Sequence, residues 1–471
     1  MEIPGLPPQL LPLLRRVAGA HRLALVGGAV RDLLLHRVHQ DPWRDLPDLD
    51  LAVEEDFLGA DLGAEPAREC SSPDRSGDPS PVAHRLARRL REQLGPRVVP
   101  YLQEHGAYGT VELELDPVAL QALHPAEPEG AERGEEPGTG PPKGPLLLDL
   151  ASARQESYPV PGENPVVRPG RLDEDLARRD FTINAMALLL VPFPGDPERS
   201  PEAAALLDPH GGQADLARRQ LRFLHPGSVR DDPTRVFRGA RYVARLDFSL
   251  APEALQQLRD TLAAWPWQWR PGDPPGQAPP ALGTRLRMEL ELLLQRDSWP
   301  RALAALQCWG ALQLLDHRLQ QDQGWRLRLV RAGRAGLPLL AALVAGAEDP
   351  LALAERLQLP HRQHRLLAQW QLLRQRIAAA TAGGVRLAPS AWTELLEGPG
   401  LSLEAVGLAL ACGSGPRRPL LRWWLRWRHQ RPPLSARELE ARGVPRGPLL
   451  GQRLRQERLA LIDQGERARQ R

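Results

Sequence analysis

The chain's most informative segment reads Gly27-Gly28-Ala29-Val30-Arg31-Asp32, and it is followed by Asp48-Leu49-Asp50. Because glycine has no Cβ, a Gly-Gly turn lets backbone N–H groups approach a phosphate closely. Residues two apart on a strand point to the same face, so Asp48 and Asp50 are expected to project side by side. Adjacent carboxylates beside a phosphate-binding turn suit Mg²⁺ and phosphoryl transfer. Each motif alone is common in unrelated proteins, so the prediction depends on their order and on further motifs.

A third carboxylate is expected at the same site. The segment Leu146-Leu147-Leu148-Asp149-Leu150 has the pattern of a buried strand with one acidic residue in its middle. A carboxylate in such a position is unfavourable unless it is paired or binds a metal. We therefore predict that Asp149 acts beside Asp48 and Asp50.

The order of predicted elements around these motifs indicates a small α/β head followed by a long helical region. A strand, the Gly-Gly turn, a helix (Val30–Arg37) and the strand carrying Asp48 and Asp50 are expected first. The spacing of apolar residues then predicts a helix over Val82–Leu94, followed by strands over Arg97–Leu102 and Gly109–Leu115. From about residue 200 onward we expect helices only: Pro233–Leu246, Pro252–Ala264, Leu282–Arg296, Trp299–Leu315 and several more.

Two segments interrupt the predicted head. Residues 59–81 are rich in Gly, Pro, Ser and Asp, which is typical of a surface insertion. Residues 117–145 contain too few apolar side chains to fold, so this segment is predicted to be disordered.

Composition narrows the class of protein. A chain of 471 residues with 42% hydrophobic residues can form more than one core. No apolar run approaches the roughly 18 residues of a membrane span. The first residues are in the wrong order for a secretory signal, and three scattered cysteines offer neither a disulfide framework nor a zinc site. A cytoplasmic protein without a membrane partner is expected.

Charge is divided unevenly along the chain. Residues 321–471 contain 25 arginines against 12 acidic residues, whereas the first 320 residues carry a net charge of about −10. An acidic front and an arginine-rich back suggest metal chemistry in one part and polyanion binding in the other. Solvated arginine-rich helices remain the alternative explanation.

Two further motifs carry groups suited to binding a nucleotide. Residues 178–187 read Arg-Arg-Asp-Phe-Thr-Ile-Asn-Ala-Met-Ala. They place guanidinium, carboxylate and amide groups in a predicted loop-to-helix transition, where they could hold a triphosphate and a ribose. Residues 231–245 begin Asp-Asp-Pro-Thr-Arg, where Pro233 fits a first helical position and Asp232 its N-cap.

The ordered set of motifs resembles the class II tRNA nucleotidyltransferases and bacterial poly(A) polymerases. The resemblance runs from about residue 21 to 250 and continues more weakly to the end. It rests on GGAVRD, DLDL, LDLASARQESY, RRDFTINAMA, DPHGGQADL and DDPTRVFRGARYVARL. It implies a polymerase-β-like head with a mixed sheet at 21–193, then an all-α neck (194–265), body (266–350) and tail (351–471) that hold tRNA.

The resemblance also implies roles for individual residues. Asp48 and Asp50 would bind two Mg²⁺ ions, with Asp149 as a third catalytic acid, and ATP and CTP would be the substrates. The implied nucleotide-binding residues are Gly27, Gly28, Arg31, Arg179, Asp180, Asn184, Asp232, Arg235 and Arg238. In the tail, Arg422, Arg426 and Arg428 could contact RNA, although a tryptophan-rich packing helix with surface arginines is the favoured alternative for that segment.

The pair Asp232 and Arg235 matches the family's protein template for choosing the base. Cytosine and adenine each present an amino donor beside a ring nitrogen acceptor, which an Asp acceptor and an Arg donor complement. Guanine and uracil present the reverse order and would leave buried charges unpaired, a mismatch of several kcal/mol, on the order of 10⁴-fold in selectivity.

The expected activity is addition of CCA to the 3′ end of tRNA, with close alternatives. An enzyme that adds only CC or only A, or a poly(A) polymerase, would share these motifs. A catalytically inactive RNA-binding relative is disfavoured because Asp48, Asp50 and Arg31 are present. The family's usual Glu-Asp pair is Asp231-Asp232 here, a departure that keeps partial specificity open. No His-Asp dyad of an appended phosphohydrolase is found in the tail.

Overall fold

The computed structural model describes residues 3–19, 21–44, 48–55, 80–106, 109–123, 144–191, 205–384 and 386–470. Most of the predicted insertion at 59–81, and residues 124–143 of the insertion predicted at 117–145, lie outside the described residues. Within the described part, no helix is both long and apolar enough to span a membrane.

Within the described residues, all the strands lie before residue 251 of the chain. They are β1 (Arg22–Val26), β2 (Asp48–Glu54), β3 (Tyr101–His105), β4 (Thr110–Leu115), β5 (Leu146–Ser152), β6 (Arg154–Ser157), β7 (Val166–Pro169), β8 (Ala187–Val191), β9 (Ala205–Leu207), β10 (Gln220–Leu221) and β11 (Ser249–Leu250).

Helices flank the strands and then make up the rest of the chain. They are α1 (Leu10–Ala18), α2 (Gly28–Arg37), α3 (Val82–Leu94), α4 (Pro117–Leu123), α5 (Leu172–Ala177), α6 (Gly212–Arg218), α7 (Ser228–Asp231), α8 (Thr234–Leu246), α9 (Pro252–Ala264), α10 (Pro280–Arg296), α11 (Trp299–Trp309), α12 (His317–Gln321), α13 (Trp325–Arg334), α14 (Leu339–Val344), α15 (Pro350–Arg356), α16 (His361–Ala380), α17 (Pro389–Leu396), α18 (Leu403–Cys412), α19 (Arg417–Leu425), α20 (Ala436–Ala441) and α21 (Pro448–Gln470).

The chain divides into two compact units. The first comprises Met1–Arg235 with Leu246–Thr261, and the second comprises Val236–Arg245 with Leu262–Arg471. The predicted fold class is confirmed: a mixed sheet with helices comes first, and a helical region follows.

A seven-stranded sheet organises the first unit, with the strand order β3-β4-β5-β2-β1-β8-β9. Its central pair, β2 and β5, is parallel, and the other neighbours are antiparallel. Apolar side chains of β1 and β8 form a core with Leu172 and Leu176 of α5. Burial of this one face fixes the register, because a slip of one residue would turn every side chain to the opposite face.

The structure agrees with the predicted helix Val82–Leu94 and with the strand, turn, helix and strand order around the Gly-Gly turn. Two details differ. The strand expected over Arg97–Leu102 begins only at Tyr101. The helix expected over Trp299–Leu315 ends at Trp309, because Gly310 adopts a φ of 82° that terminates it, and a short 3₁₀ turn follows.

The prediction of disorder over 117–145 is wrong at its beginning. Pro117–Leu123 forms α4, whose first turn is stabilised by Asp116: its carboxylate accepts hydrogen bonds from the backbone N–H groups of Val118 (2.9 Å) and Ala119 (3.0 Å). Leu120 is fully buried, which supplies the apolar anchor that the composition of the whole segment concealed.

The expected loop-to-helix transition at 178–187 and the expected absence of strands after residue 200 are also wrong. A 3₁₀ turn over Thr182–Asn184 leads into strand β8, not into an α-helix. Beyond residue 200, the short strands β9, β10 and β11 occur. Tertiary pairing overrides local preference here, since β8 is buried between β1 and β9.

Candidate active site

Strand β2 presents Asp48 and Asp50 on one face. Leu49 and Leu51 alternate with them and are buried, so the aspartates point away from that packed face. In the parallel pairing of β2 with β5, Asp50 stands directly opposite Asp149. The structure therefore brings the three predicted acidic residues to one face of the sheet.

The three carboxylates repel one another in a partly desolvated place. Burial and the neighbouring Asp50 and Asp48 carboxylates together raise the pKa of Asp149 to about 6. Burial also raises the pKa of Asp50, an effect that the Arg179 guanidinium opposes. A bound cation would stabilise the ionised form of these carboxylates, because its positive charge offsets the mutual repulsion that raises their pKa values.

The donor set fits Mg²⁺ that also binds a phosphate. Within the described part of the chain, no three acidic, histidine or cysteine side chains converge as a complete metal site. Mg²⁺ is usually held by one or two carboxylates, with substrate phosphates and water completing its six ligands. Asp48 and Asp50 supply those carboxylates without requiring a third protein ligand.

The turn between β1 and α2 approaches this acidic face closely. Gly27 has a φ of 72°, and a Cβ added to it would lie 2.8 Å from Oδ2 of Asp50 and 3.0 Å from Nη1 of Arg179. A residue without a side chain is thus needed to let the backbone, a carboxylate and a guanidinium meet. Gly28 begins α2, whose first N–H groups favour an anion.

Arg31 on α2 joins the turn to the 178–184 segment. Its side chain is almost fully buried, with Nε at 2.9 Å from Oδ1 of Asp32 and Nη1 donating to Oδ1 of Asn184 at 2.8 Å. Asn184 in turn donates from Nδ2 to Oδ1 of Asp180 at 3.1 Å. The predicted residues Arg31, Asp180 and Asn184 thus form one hydrogen-bonded chain.

Asp175 is a residue of this site that the sequence reasoning missed. It is buried on α5, and its carboxylate accepts from Nη2 of Arg178 at 2.7 Å and from Nη2 of Arg179 at 2.9 Å. These two guanidinium groups hold the pKa of Asp175 below its usual value despite its burial. The spacing of three and four residues on a helix was a usable signal, but the run Asp173-Glu174-Asp175 concealed it among helix-starting acidic residues.

The predicted base-choosing pair lies at the start of α8. Asp232 and Arg235 are both buried, and Oδ1 of Asp232 accepts from the N–H (3.0 Å) and the hydroxyl (2.6 Å) of Thr234. The predicted N-cap position is off by one residue, because the helix begins at Thr234 and Pro233 is its N-cap, but the Asp232 carboxylate still accepts from Thr234 at the helix start. The structure brings the two side chains into the same unit as the acidic face.

Arg235 is held by three groups from other segments. It donates to the carbonyl oxygen of Arg178 at 2.8 Å, to that of Ser228 at 3.4 Å, and to Nε2 of His225 at 3.4 Å. Its guanidinium carbon also lies 6.0 Å from the ring centre of Tyr158. Since arginine only donates, His225 must accept at Nε2 and carry its proton on Nδ1.

The remaining predicted residues lie in the second unit. Arg238 is 3.6 Å from Oε1 of Glu289. Arg422 pairs with Glu466 at 3.2 Å, Arg426 is exposed, and Arg428 lies 4.3 Å over the Trp424 ring. Trp423 and Trp427 are buried and donate to Glu397 and Glu466, as the packing-helix alternative predicts.

Comparison with known proteins identifies a matching family model and several similar sequences. Residues 131–222 match the family model of the poly(A) polymerase head domain. The chain is similar in sequence to several tRNA nucleotidyltransferases. It is 40% identical over 230 residues to the CC-adding tRNA nucleotidyltransferase of Deinococcus radiodurans, covering 47% of this chain and 53% of that protein. It is 29% identical over 310 residues to the A-adding tRNA nucleotidyltransferase of Aquifex aeolicus, covering 66% of this chain and 27% of that protein. The chain therefore spans about half or less of the length of those curated proteins.

Solved structures share the fold along nearly the whole chain. An apo form of a CCA-adding enzyme aligns with a TM-score of 0.64 and 22% identity, covering 98% of this chain and 93% of that one. The CCA-adding enzyme of Thermotoga maritima complexed with tRNA aligns with a TM-score of 0.59 and 21% identity, covering 98% and 93%. A CCA-adding enzyme with ATP aligns with a TM-score of 0.60 and 21% identity, covering 98% and 91%. At this level of identity the likeness concerns the fold.

Proposed function

We propose that this protein is a template-independent RNA nucleotidyltransferase that adds C and A to the 3′ end of tRNA. The observation that carries the proposal is the meeting of Asp50, Arg179 and the Gly27 backbone within about 3 Å of one point. Such a place combines a metal-binding carboxylate, a phosphate-binding guanidinium and an open backbone turn, which are the parts that transfer of a nucleotidyl group needs.

The proposed reaction joins the RNA 3′-hydroxyl to the α-phosphate of CTP or ATP. A bond forms from the 3′-oxygen to the α-phosphorus, the bond from the α-phosphorus to the bridging oxygen breaks, and pyrophosphate leaves. The start of α2, Arg31 and Arg179 would hold the triphosphate, while Asp180 and Asn184 would orient the ribose. Mg²⁺ on Asp48 and Asp50, with Asp149 beside them, would neutralise charge that develops on the phosphate.

Choice of base is assigned to Asp232 and Arg235. Both side chains are buried, so a base with the wrong donor order would leave a desolvated charge unpaired. Arg235 is additionally fixed by carbonyl oxygens and His225. A guanidinium held in this way can discriminate because it cannot swing aside for a mismatched base.

An enzyme of partial specificity is the second candidate. Asp231 stands where the family commonly has Glu, and its shorter side chain pairs with Arg230 at 3.0 Å. The named relatives include CC-adding and A-adding enzymes, which makes either activity a concrete alternative.

The helical region is proposed to bind tRNA, in the order neck (194–265), body (266–350) and tail (351–471). Its arginine excess after residue 320 supports this assignment, and Arg426 and Arg428 are candidate contacts. A tRNA substrate would place the protein in the cytoplasm.

The experiment uses tRNA transcripts that end before CCA, after C, and after CC, each with CTP, ATP or both. Full CCA addition extends all three to the same length when both nucleotides are present. A CC-adding enzyme stops one residue short, an A-adding enzyme extends only the last transcript, and a poly(A) polymerase makes long products with ATP. Asp48→Ala and Asp50→Ala should abolish extension while tRNA binding persists, and undiminished extension by these variants would overturn the metal assignment.

A further inference from the structure

Three helices of the second unit enclose a small apolar pocket. It has a volume of about 180 Å³ and lies between the end of α13, the middle of α18, and α19. Its floor is formed by apolar residues: Ala335, Gly407, Leu410, Ala411, Leu421 and Trp424. Its rim carries three guanidinium groups, those of Arg331, Arg334 and Arg417.

The rim arginines differ from others in the same region. Arg458, Arg362 and Arg446 pair with glutamates at 2.6, 2.6 and 3.0 Å. Among the residues that the structure describes, no carboxylate lines the pocket or pairs with the three rim arginines. The pocket therefore joins an apolar floor to positive charge that nothing described in the chain neutralises.

Trp424 gives the pocket an aromatic wall. Its neighbours Trp423 and Trp427 are buried, whereas Trp424 is half-buried and reaches the pocket. Gly407 of α18 makes room for it, because a Cβ at that position would lie 3.1 Å from Cη2 of the Trp424 ring. The packing alternative for this helix fully explains the buried Trp423 and Trp427, whereas Trp424 meets Gly407 and Arg428 and still contributes to the lining of the pocket.

We propose that this pocket binds one unpaired base of an RNA, with the adjoining phosphates on Arg331, Arg334 and Arg417. The proposal rests on the proposed function, which supplies RNA as the substrate class. An unpaired base has a free aromatic face for Trp424 and carries phosphates for the arginines. A continuous duplex conceals its base faces and would engage only the rim.

The test compares a fluorescent RNA hairpin with an unpaired loop and a blunt RNA duplex with the same number of phosphates, using the full chain without nucleotide. Trp424→Leu should weaken hairpin binding about tenfold, Trp424→Phe should retain it, and duplex binding should change little. Replacing the three rim arginines by alanine should reduce the salt slope of hairpin binding by about 2.

A matched control removes the same charge elsewhere on the second unit. Arg365, Arg431 and Arg437 are exposed, and their replacement by alanine should leave most of the salt slope intact. Thermal unfolding of each variant detects misfolding. If Trp424→Leu is unfolded, Leu421→Gln takes its place, because it makes the apolar floor of the pocket polar and should likewise weaken hairpin binding more than duplex binding.

Equal losses of hairpin and duplex binding on Trp424→Leu would overturn the base-binding role. An unchanged affinity after removal of the rim arginines would overturn RNA binding there and favour an acidic protein partner. The readout also separates this proposal from the proposed function. If the proposed nucleotidyltransferase activity is correct, the pocket variants should raise KM for tRNA and leave kcat unchanged. If the chain binds the hairpin but incorporates no nucleotide, only the proposed activity is refuted and the base-binding pocket stands.

Discussion

At the scale of single residues, Asp175 connects the two halves of the candidate site. Its carboxylate holds Arg179, which lies beside Asp50, and Arg178, whose carbonyl oxygen accepts from Arg235. The parts proposed to bind phosphate and to choose the base are thus joined through one buried acid. A substitution at Asp175 should therefore affect both the region around Arg179 and the region around Arg235.

Asp175→Asn is expected to destabilise the first unit by about 3 kcal/mol, because Arg179 loses its carboxylate partner and Arg178 keeps only Glu156. Nucleotide incorporation should fall about tenfold to hundredfold, since Arg179 is no longer fixed beside Asp50. Urea unfolding and single-turnover rates measure the two effects. Asp173→Asn on the same helix is the control, because Asp173 is exposed; equal effects of both substitutions would contradict the role.

His225 makes the grip on Arg235 dependent on pH. Burial lowers the pKa of His225, and the nearby Arg235 and Arg230 guanidinium groups lower it further, against the opposing charge of Asp231. As the pH falls below 6.5, His225 therefore becomes protonated in the unfolded chain before it does so in the folded chain. Its contribution to stability is complete above that pH and is lost as the pH falls toward the lowered value.

We expect discrimination between ATP and GTP to fall several-fold on acidification from pH 7.5 to 5.5, because a protonated His225 cannot accept from Arg235 and repels it. The measurement is the ratio of kcat/KM for the two nucleotides across that range. His225→Gln offers a neutral acceptor at every pH and should flatten the profile. A wild-type ratio that stays constant would rule out this coupling.

Sequence reasoning located the acidic residues and arginines of the site because their chemistry is visible in the residue type. It could not locate His225 or Asp175, whose importance comes from what they contact. The His225 imidazole meets Arg235 only because the 225–228 turn lies against α8. That proximity depends on tertiary packing, which a linear spacing does not show.

At the scale of elements, the β1–α2 turn is the part that the sequence predicted best. Glycine at a positive φ, followed by an apolar helix, leaves few other structures for this segment. The segment after Asp180 was predicted less well, because Phe-Thr-Ile-Asn-Ala-Met-Ala suits a helix locally. Pairing with β1 and β9 makes its second part a strand, a long-range effect without local signal.

The turn offers a prediction that separates strain from steric exclusion. Gly27→Ala should cost about 1–3 kcal/mol of stability for its positive φ, and its Cβ would also displace Asp50 and Arg179. Incorporation should then be nearly abolished. Gly95→Ala has a similar φ of 77° but no described atom within 4 Å of the new Cβ, so it should lose stability without losing activity. Thermal unfolding and incorporation rates of both variants test this, and an active Gly27→Ala would contradict the close approach.

At the scale of the whole molecule, charge separates the two proposed tasks. The acidic part of the chain carries the face with Asp48, Asp50 and Asp149, where the proposed cation would compensate the carboxylates. The arginine-rich part, with 25 arginines after residue 320, suits a polyanion. A nucleotide is engaged by fixed groups in a compact site, whereas a long RNA gains affinity by releasing counterions along its backbone.

Binding of tRNA should therefore depend on salt much more steeply than binding of ATP. With about four phosphates neutralised, affinity for a tRNA transcript should fall about a hundredfold between 50 and 200 mM KCl. The KM for ATP, measured at saturating tRNA and constant free Mg²⁺, should change far less, because the groups that hold the triphosphate are mostly buried and screened less. Filter binding and initial rates over this salt range give both quantities. Equal salt slopes for the two substrates would show that the arginine-rich part after residue 320 does not contact the RNA. Its arginines would then be explained as charged side chains on a solvent-exposed helical surface.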